Sequence, residues 1–569
     1  PEQQFVIGDE LLAGGFRLVK LDLYPLRYNA AGNSLQQSGH LTVRVQFAGA
    51  ALEETELVND QAPAERFWRK NVLNYPPSSW SIETPAAESS ADLTLPVGSD
   101  TFKIEVDHDG LYAISGSELA ASGMNLTSVD TSKLQLMHRG KAVSYQFVNN
   151  DGKAGFGPDD EIRFYGWQFD GSRYEDMYVN NNVFWLWANG SGKQVKTVEN
   201  EAGKGYSKVT KFDESITKWP HQDFFPGLSI NWEESPNDAT PWHWKWLTVQ
   251  AGKTRKFELP LTLPNPATDS NKDGTILVEF TSRHSALLNS PSSTAAEIAL
   301  NGGANKTNTT WKNGVNLNVE HEAPISQFLE PGEAGYPENT LNIALSGTTA
   351  DKNVAVYVTR VTVDYVRELN AVEDELIFSQ EKAGNHEFHI SGFSAAADEV
   401  IVWDVSDRYA PTQVDMQTKQ RIASEQSSTV IVGQSHQANA RFIATAVDNI
   451  QQVKNIDKFV PGSLTPPKKA GTWVAVSHKS LLPAANDLAQ YRANQSGIST
   501  WVVDVEDIAN QVGFGFNTPD AIRDYLKNGL VNWAEPPQYL TIFGDATENP
   551  RLLDCLEGCS QDWDKNKPT

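Results

Sequence analysis

The chain has 569 residues, room for about three to five domains at roughly 100–200 residues each. Its 72 acidic against 47 basic side chains, a net charge of −25, argue against nucleic acid as a partner, because phosphate binding needs clustered Lys and Arg. No polybasic or basic amphipathic segment suits a membrane surface, and no window nears ~18 uninterrupted apolar residues, so no membrane insertion is expected.

Trp (16), Tyr (16) and Phe (24) are plentiful, and Gly, Pro, Ser and Asn break the chain into short apolar stretches. That is the pattern of β-rich, secreted modules. Two cysteines cannot hold such a chain together, so stability must come from several separate cores. "PEQQFVIGDELL" has neither a charged n-region nor an apolar h-region, so Pro1 is expected to follow a processing or trimming point.

Residues 1–60 alternate like strands ("FRLVKLDLYPLRYN", "GHLTVRVQFAG") and read as the end of a β domain. Residues 61–95 are rich in Pro, Ser and Ala and read as a linker. A β-rich module is expected over 96–215. In it "TFKIEVDHDGLYAIS" reads as a hairpin turning at Asp109-Gly110, "SGSELAASG" as a short helix capped by Ser115 or Ser117, and "DEIRFYGWQF" and "NNVFWLWANG" as aromatic strands. Residues 240–370 hold five or more strands and read as a jelly-roll-like β-sandwich, and 371–465 as a smaller β module. No repeat of fixed period is present.

At residue 472 the pattern changes. "TWVAVSH" is a continuous apolar run, "LLPAANDLAQYRANQSG" a helix closed by Gly497, and "STWVVDV" a second strand. Thr518 and Pro519 open a second helix, and "QYLTIFGD" is a third strand. Strand–helix–strand–helix–strand is the grammar of a parallel sheet.

This last segment resembles the opening of a gingipain-type cysteine peptidase domain. The features that carry the resemblance are "SH" after strand one, "LAQYR…G", "VVDVEDI", "TPDAIRDYL" and "GDA…P". Upstream, "FKIEVDHDGLYAIS", "DDEIRFYG" and "VWDVSD" are similar to stretches in the β-rich leaders of that family, which includes the sortase-like peptidase of type IX secretion. The resemblance implies tandem β-sandwich or jelly-roll-like modules followed, over 470–569, by the first part of a caspase-like α/β peptidase domain. It also implies a secreted or cell-surface location, a protein substrate, and a catalytic His and Cys in a later half-domain. No histidine follows His478, so the chain is expected to stop before that half. No residue is assigned as catalytic, and the chain alone is expected to be inactive. The alternative is a non-catalytic surface or matrix scaffold that binds glycan or protein partners or self-assembles.

The remaining constellations have plainer readings beside the sharper ones. A thiolate needs a base within reach, but Cys555 does not end an apolar strand and no third group orients His478. Cys555 and Cys559 read as a disulfide in an oxidising compartment, with free thiols or half a metal site as the alternatives. No cofactor is required. Calcium is the ion that "DSNKDG" (Asp269, Asn271, Asp273) would take, although the twelfth position falls on Phe280 and a polar loop is the simpler reading. "NNDGKAGFGPDDE" (Asn149, Asp151, Asp159, Asp160) is a similar loop with Lys153 against it. Asp545 ends a strand where α/β sheets collect ligands, or else orders its own turn. Asn125, Asn189, Asn305, Asn308 and Asn494 fit the N-glycosylation triplet. Trp242, Trp244 and Trp246 stack on sugars or, more simply, fill a core.

Overall fold

A computed structural model of the chain describes residues 5–13, 16–29, 34–37, 43, 72, 100–171, 173–188, 190–219, 223–224, 242–250, 252–282, 293–312, 316–329, 338–347, 354–417, 420–423, 427–466 and 470–544. Two units are resolved, 1–91 and 92–569. In the first, strands Phe5–Ala13 and Phe16–Leu23 form an antiparallel hairpin with a register shift between Ile7 and Glu10, and Leu26–Asn29 pairs with Ser34–Gln37. The stretch 39–49 lies outside the described residues apart from residue 43, as does the 61–95 linker apart from residue 72.

The second unit is mostly β, with three sandwich-like pairs of sheets and a C-terminal α/β segment. In the first pair, Thr101–Val106 is hydrogen-bonded between Asn455–Phe459 and Asn182–Trp187, and Gly110–Ser115 between Gln451–Gln452 and Glu161–Gly166. The expected hairpin at Asp109-Gly110 is therefore not one. The two strands lie in different sheets, and the turn is an arch across the core. Side-chain chemistry explains the difference. Asp109 does not close a two-residue turn. It accepts from the Gln168 amide at 2.9 Å and from Arg441 at 2.6 Å, so it is pulled toward neighbouring elements. Phe102, Ile104 and Val106 face Tyr112 and Ile114 across one core.

The second pair comprises Lys196–Glu199, Thr412–Asp415, Val400–Asp404, Ala440–Ala446 and Glu375–Gln380 against Ser207–Val209, Gly384–Phe393, Ser428–His436 and Arg421–Ala423. Its first sheet is covered on both faces. Val402 and Phe442 enter its own core, while Trp403 and Ile443 enter the core of the first pair. This double burial is why "VIVWDV" and "RFIATA" are continuous apolar runs and not alternating ones. The stretches expected as separate modules, 96–215 and 371–465, thus exchange strands in both directions.

The third pair holds the long strand Val354–Glu368, flanked by Lys211–Lys218 and Gly274–Ser282, and a facing sheet ordered Thr254–Thr262, Glu338–Gly347, Ser293–Leu300, Thr307–Lys312. Trp244 and Phe280 lie in its core. Trp242 is also fully buried and Trp246 stacks on Tyr357 at 6.2 Å. Two of the three alternating indoles are therefore withdrawn from any sugar.

The α/β segment opens with Trp473–Ser477, buried along its whole length. It pairs in parallel with Thr500–Asp504 on one side and Tyr539–Phe543 on the other. Helix Leu482–Ser496 ends on Gly497 at φ 65°, a left-handed cap that a residue with a Cβ adopts only at a cost. Thr518 caps Pro519–Asn532 through the Ala521 amide. A helix not anticipated from sequence, Val505–Gln511, follows the second strand directly, capped by Asp504. "VEDI" belongs to this helix, not to the strand.

Candidate functional site

The strand order of the parallel sheet fixes where a site forms. The helix after Trp473–Ser477 covers one face with Ala485 and Ala489 against Trp473 and Ala475. The two helices after Thr500–Asp504 cover the other, with Ile508, Ala521 and Tyr525 against Val474 and Val476. Successive connections thus run on opposite faces. In such sheets the crevice lies at the carboxyl ends of the strands, next to the first strand. Here its floor is Ser477, His478, Phe543 and Gly544, tied together by the His478 amide donating to the Phe543 carbonyl at 3.3 Å.

His478 points into local structure. Its Nδ1 accepts the Ser480 backbone amide at 3.2 Å and lies 2.8 Å from Ser480 Oγ. The ring caps the turn Lys479–Leu481. A nitrogen that accepts an amide N–H carries no proton, so the neutral ring holds its proton on Nε2, which is a donor and not a base. Asp545, Cys555 and Cys559 lie outside the described residues. His478→Ala is expected to cost about 1 kcal/mol, the usual value of a capping bond. Thermal unfolding with and without the substitution checks this, and a loss several times larger would contradict a capping role.

Beside the crevice, Lys479 pairs with Glu506 at 3.3 Å in the open, a contact of little energy. Asp507 accepts the Gly462 amide at 2.9 Å. Burial pushes its carboxyl above the usual range, and Asp504 and Glu506 add to this against the Gly462 hydrogen bond. The folded state therefore binds the Asp507 proton more tightly than the unfolded chain does. This contribution to stability is present at acid pH and is lost as pH rises through the raised folded value. Asp507→Asn is expected to raise the thermal midpoint at pH 7 and to flatten the pH dependence at the acid end. A lowered midpoint at pH 7 would count against it.

The loop between the two helices of that face, Gly513–Thr518, reaches beyond the segment to the first sandwich. Strand Asn182–Trp187 sends Phe184 and Leu186 into the sandwich core and Val183, Trp185 and Trp187 outward, where Phe514 and Phe516 cover them. Trp185 Nε1 donates to the Phe514 carbonyl at 2.9 Å. Phe514 is left-handed at φ 54°, and Gly515 at φ 98° lies where a Cβ would press Val183 Cγ1 at 2.5 Å. Two glycines flanking a phenylalanine, in "GFGF", are the local sequence signal for this contact.

Asp269 is exposed and paired with Lys211, which also reaches Glu368 at 3.4 Å. Asn271 and Asp273 are exposed in the same loop. In the other acidic loop, Asp160 is wholly buried and accepts the amides of Gly157 at 2.7 Å, Asn150 at 2.8 Å and Asp151 at 3.3 Å. Asp151 accepts the Lys153 amide at 2.8 Å. Among the described residues no three His, Cys, Asp or Glu side chains are grouped to hold a metal ion.

Comparison with known proteins adds the following. Residues 467–558 match the family model described as peptidase family C25. No curated protein matches the chain. Among solved structures, the chain is similar in fold to dimeric latent PorU from Porphyromonas gingivalis, with a TM-score of 0.55 and 15% identity, covering 80% of this chain and 42% of that one. The chain therefore spans less than half the length of that relative. Slighter likenesses are to infectious bursal virus T=1 particles (TM-score 0.16, 10% identity, 70% of this chain and 73% of that one) and to a plant receptor-like kinase, FER (0.18, 10%, 48% and 80%). Among the described residues no helix is long and apolar enough to cross a membrane.

Proposed function

We propose that this chain is the N-terminal portion of an extracellular cysteine endopeptidase of gingipain type. Its β-sandwiches form a scaffold that carries the first three strands of a caspase-like peptidase domain. One observation carries the reading. The stretch that matches peptidase family C25, 467–558, is the stretch in which the architecture switches from mainly antiparallel sandwiches to an all-parallel three-stranded sheet. The fold likeness to PorU over most of the chain supports the order of parts, β modules first and α/β segment last.

The chemistry proposed for the whole protein is peptide hydrolysis by a Cys thiolate with a His base, both supplied by a half-domain that follows these strands. His478 has a structural part in it, holding the end of the first strand. The carboxyl-end crevice is where the second half would bring its residues. Peptide mapping and intact mass of the native protein test the reading. Peptides continuing past Thr569 with a later His and Cys, and thiol-dependent hydrolysis unchanged by His478→Ala, are the expected results. A native chain that ends at Thr569 and hydrolyses no peptide would overturn the enzyme reading and favour a scaffold.

A further inference from the structure

A buried histidine adjoins the contact between the α/β segment and the first sandwich, through the ring of Phe516. His138 ends strand Gln135–His138 and is 2% exposed. Its ring lies 4.7 Å from that of Trp167, 5.1 Å from Phe184, 5.9 Å from Tyr409 and 6.4 Å from Phe516. These rings come from the first sandwich, from the loop after strand Val400–Asp404 of the second, and from the Gly513–Thr518 loop of the α/β segment. One side chain thus touches all three parts.

Hydrogen bonds settle its protonation state. Asn182 Nδ2 donates to the Trp167 carbonyl at 3.0 Å, and Asn182 Oδ1 accepts the Val183 amide at 3.1 Å. Oδ1 is therefore the atom facing His138 Nε2 at 2.8 Å, and Nε2 donates. Nδ1 is left to accept the Tyr409 hydroxyl at 3.0 Å. The neutral ring satisfies both nitrogens.

A second proton would go on Nδ1 and turn the acceptor into a donor facing Tyr409. The charged groups around it oppose this. Arg408 stacks on Trp167 at 4.6 Å and pairs with Asp170. Arg139 lies 4.7 Å from the Phe516 ring and 5.3 Å from the Phe169 ring, and pairs with Glu175 at 3.0 Å. Lys141 lies 5.4 Å from the Tyr409 ring. Three cations face the site, the two carboxylates are already paired to the arginines, and residues 513–518 bring no ionisable group.

We propose that His138 is an acid-sensitive catch: protonation of its ring releases the Phe514–Phe516 loop from the sandwich and, with it, the docking of the α/β segment. The loop is the part that yields. The other neighbours of His138 belong to sheets or their short connections, whereas among the described residues the loop is held to the sandwich by the Trp185 indole hydrogen bond and by packing, with Phe514 in a left-handed conformation that costs about 1 kcal/mol or more. Burial, with Arg139 and Arg408 behind it, pushes the ring down to about 4, against the hydrogen bond that it donates to Asn182 and the Asp170 carboxylate. An undocked ring in water titrates near ~6.5. The docked state thus binds fewer protons between these values. Docking is at full strength above the upper one and weakens by about tenfold per pH unit as pH falls toward the lower one.

Hydrogen exchange of the full chain, normalised to intrinsic rates and followed from pH 7.5 to 4, tests this. Protection over 505–533 is expected to fall with the stated slope while 254–262 and 338–347 keep theirs. Protection over 505–533 that does not change with pH would overturn the proposal. So would earlier loss at 384–393 and 428–436, where His386 and His436 touch at 2.8 Å. His138→Gln keeps a donor and an acceptor and is expected to abolish the pH step, so a step that persists in it is also fatal. If that variant does not fold, Arg408→Gln decides. Removing a cation beside the ring lets the docked ring take up its proton more readily, so the acid-driven loss of protection over 505–533 is expected to level off at a higher pH and to be smaller in all, and an unaltered loss overturns the catch.

Discussion

Trp185→Ala is expected to cost about 4 kcal/mol, the usual loss for a large buried aromatic, and to undock the C-terminal segment while leaving the third sandwich folded. Trp185 is wholly buried on the outer face of its strand, packed with Phe516 and edge-on to Phe459 at 5.3 Å. Its indole also holds the Phe514 carbonyl. Truncation therefore opens a cavity, orphans a carbonyl and removes the surface on which the loop rests. A chain of several cores does not unfold as one unit, so a single melting temperature is a poor readout. Hydrogen exchange resolved by segment is the right one. Protection should be lost over 505–533 and 182–187 and kept over 254–262. Trp185→Phe separates the contributions, since it keeps most of the apolar area and loses the hydrogen bond, for about 1 kcal/mol. If the alanine variant keeps full protection over 505–533, the loop does not hold the segment in place.

Asp160→Ala is expected to cost on the order of 3 kcal/mol, because it takes the shared acceptor from the part-buried amide bonds of Gly157, Asn150 and Asp151. Asparagine should do little better. Oδ1 takes two of the amides and Oδ2 the third, so an amide nitrogen must face an N–H. Burial alone would raise the Asp160 carboxyl, but the Gly157, Asn150 and Asp151 amides outweigh it and hold it below the usual carboxylate range. Its contribution is therefore present above the usual carboxylate value of about 3.9 and is lost as pH falls through the lower folded one. Thermal unfolding and limited proteolysis at 149–160 measure the loss. Calcium should not restore the alanine variant, because the carboxylate serves the backbone. Recovery with calcium would return the loop to the metal reading.

The sequence announced these elements unevenly, for physical reasons. The caps were plain. Ser115, which the structure selects over Ser117, Thr518 with Pro519, and Gly497 after Leu482–Ser496 all follow local rules in which a side chain or a left-handed glycine meets a free backbone group within a few residues. The parallel segment was plain too, because a strand buried on both faces leaves an unbroken apolar run. The arch at Asp109-Gly110 was not. An Asp-Gly turn between apolar stretches looks the same whether its strands pair with each other or with partners hundreds of residues away. The catch was hidden for a related reason: "GFGF" marks the loop, but nothing local to it names His138, Trp167 and Tyr409 as its partners, and those come from separate parts of the chain. His478 stood out for its place after a strand, a place that the Ser480 amide turns into a cap.

The first sandwich begins at Thr101, and its edges are closed only by Gln451–Gln452 and Asn455–Phe459, after two further sandwiches have been laid down. Lys458 meets Asp100 at 2.7 Å across a separation of 358 residues. Loops of that length make closure late and slow. Until residue 459 is available, Thr101–Val106 and Gly110–Ser115 each present an open strand edge, the template on which chains pair with one another. A nascent or nicked chain that lacks this tail carries nearly all of the sandwich and none of its closure, and it should aggregate where the whole chain does not. The last β-strands before the parallel sheet are thus expected to act as a completion signal, since the surface that receives the α/β segment includes Phe459, translated just ahead of it.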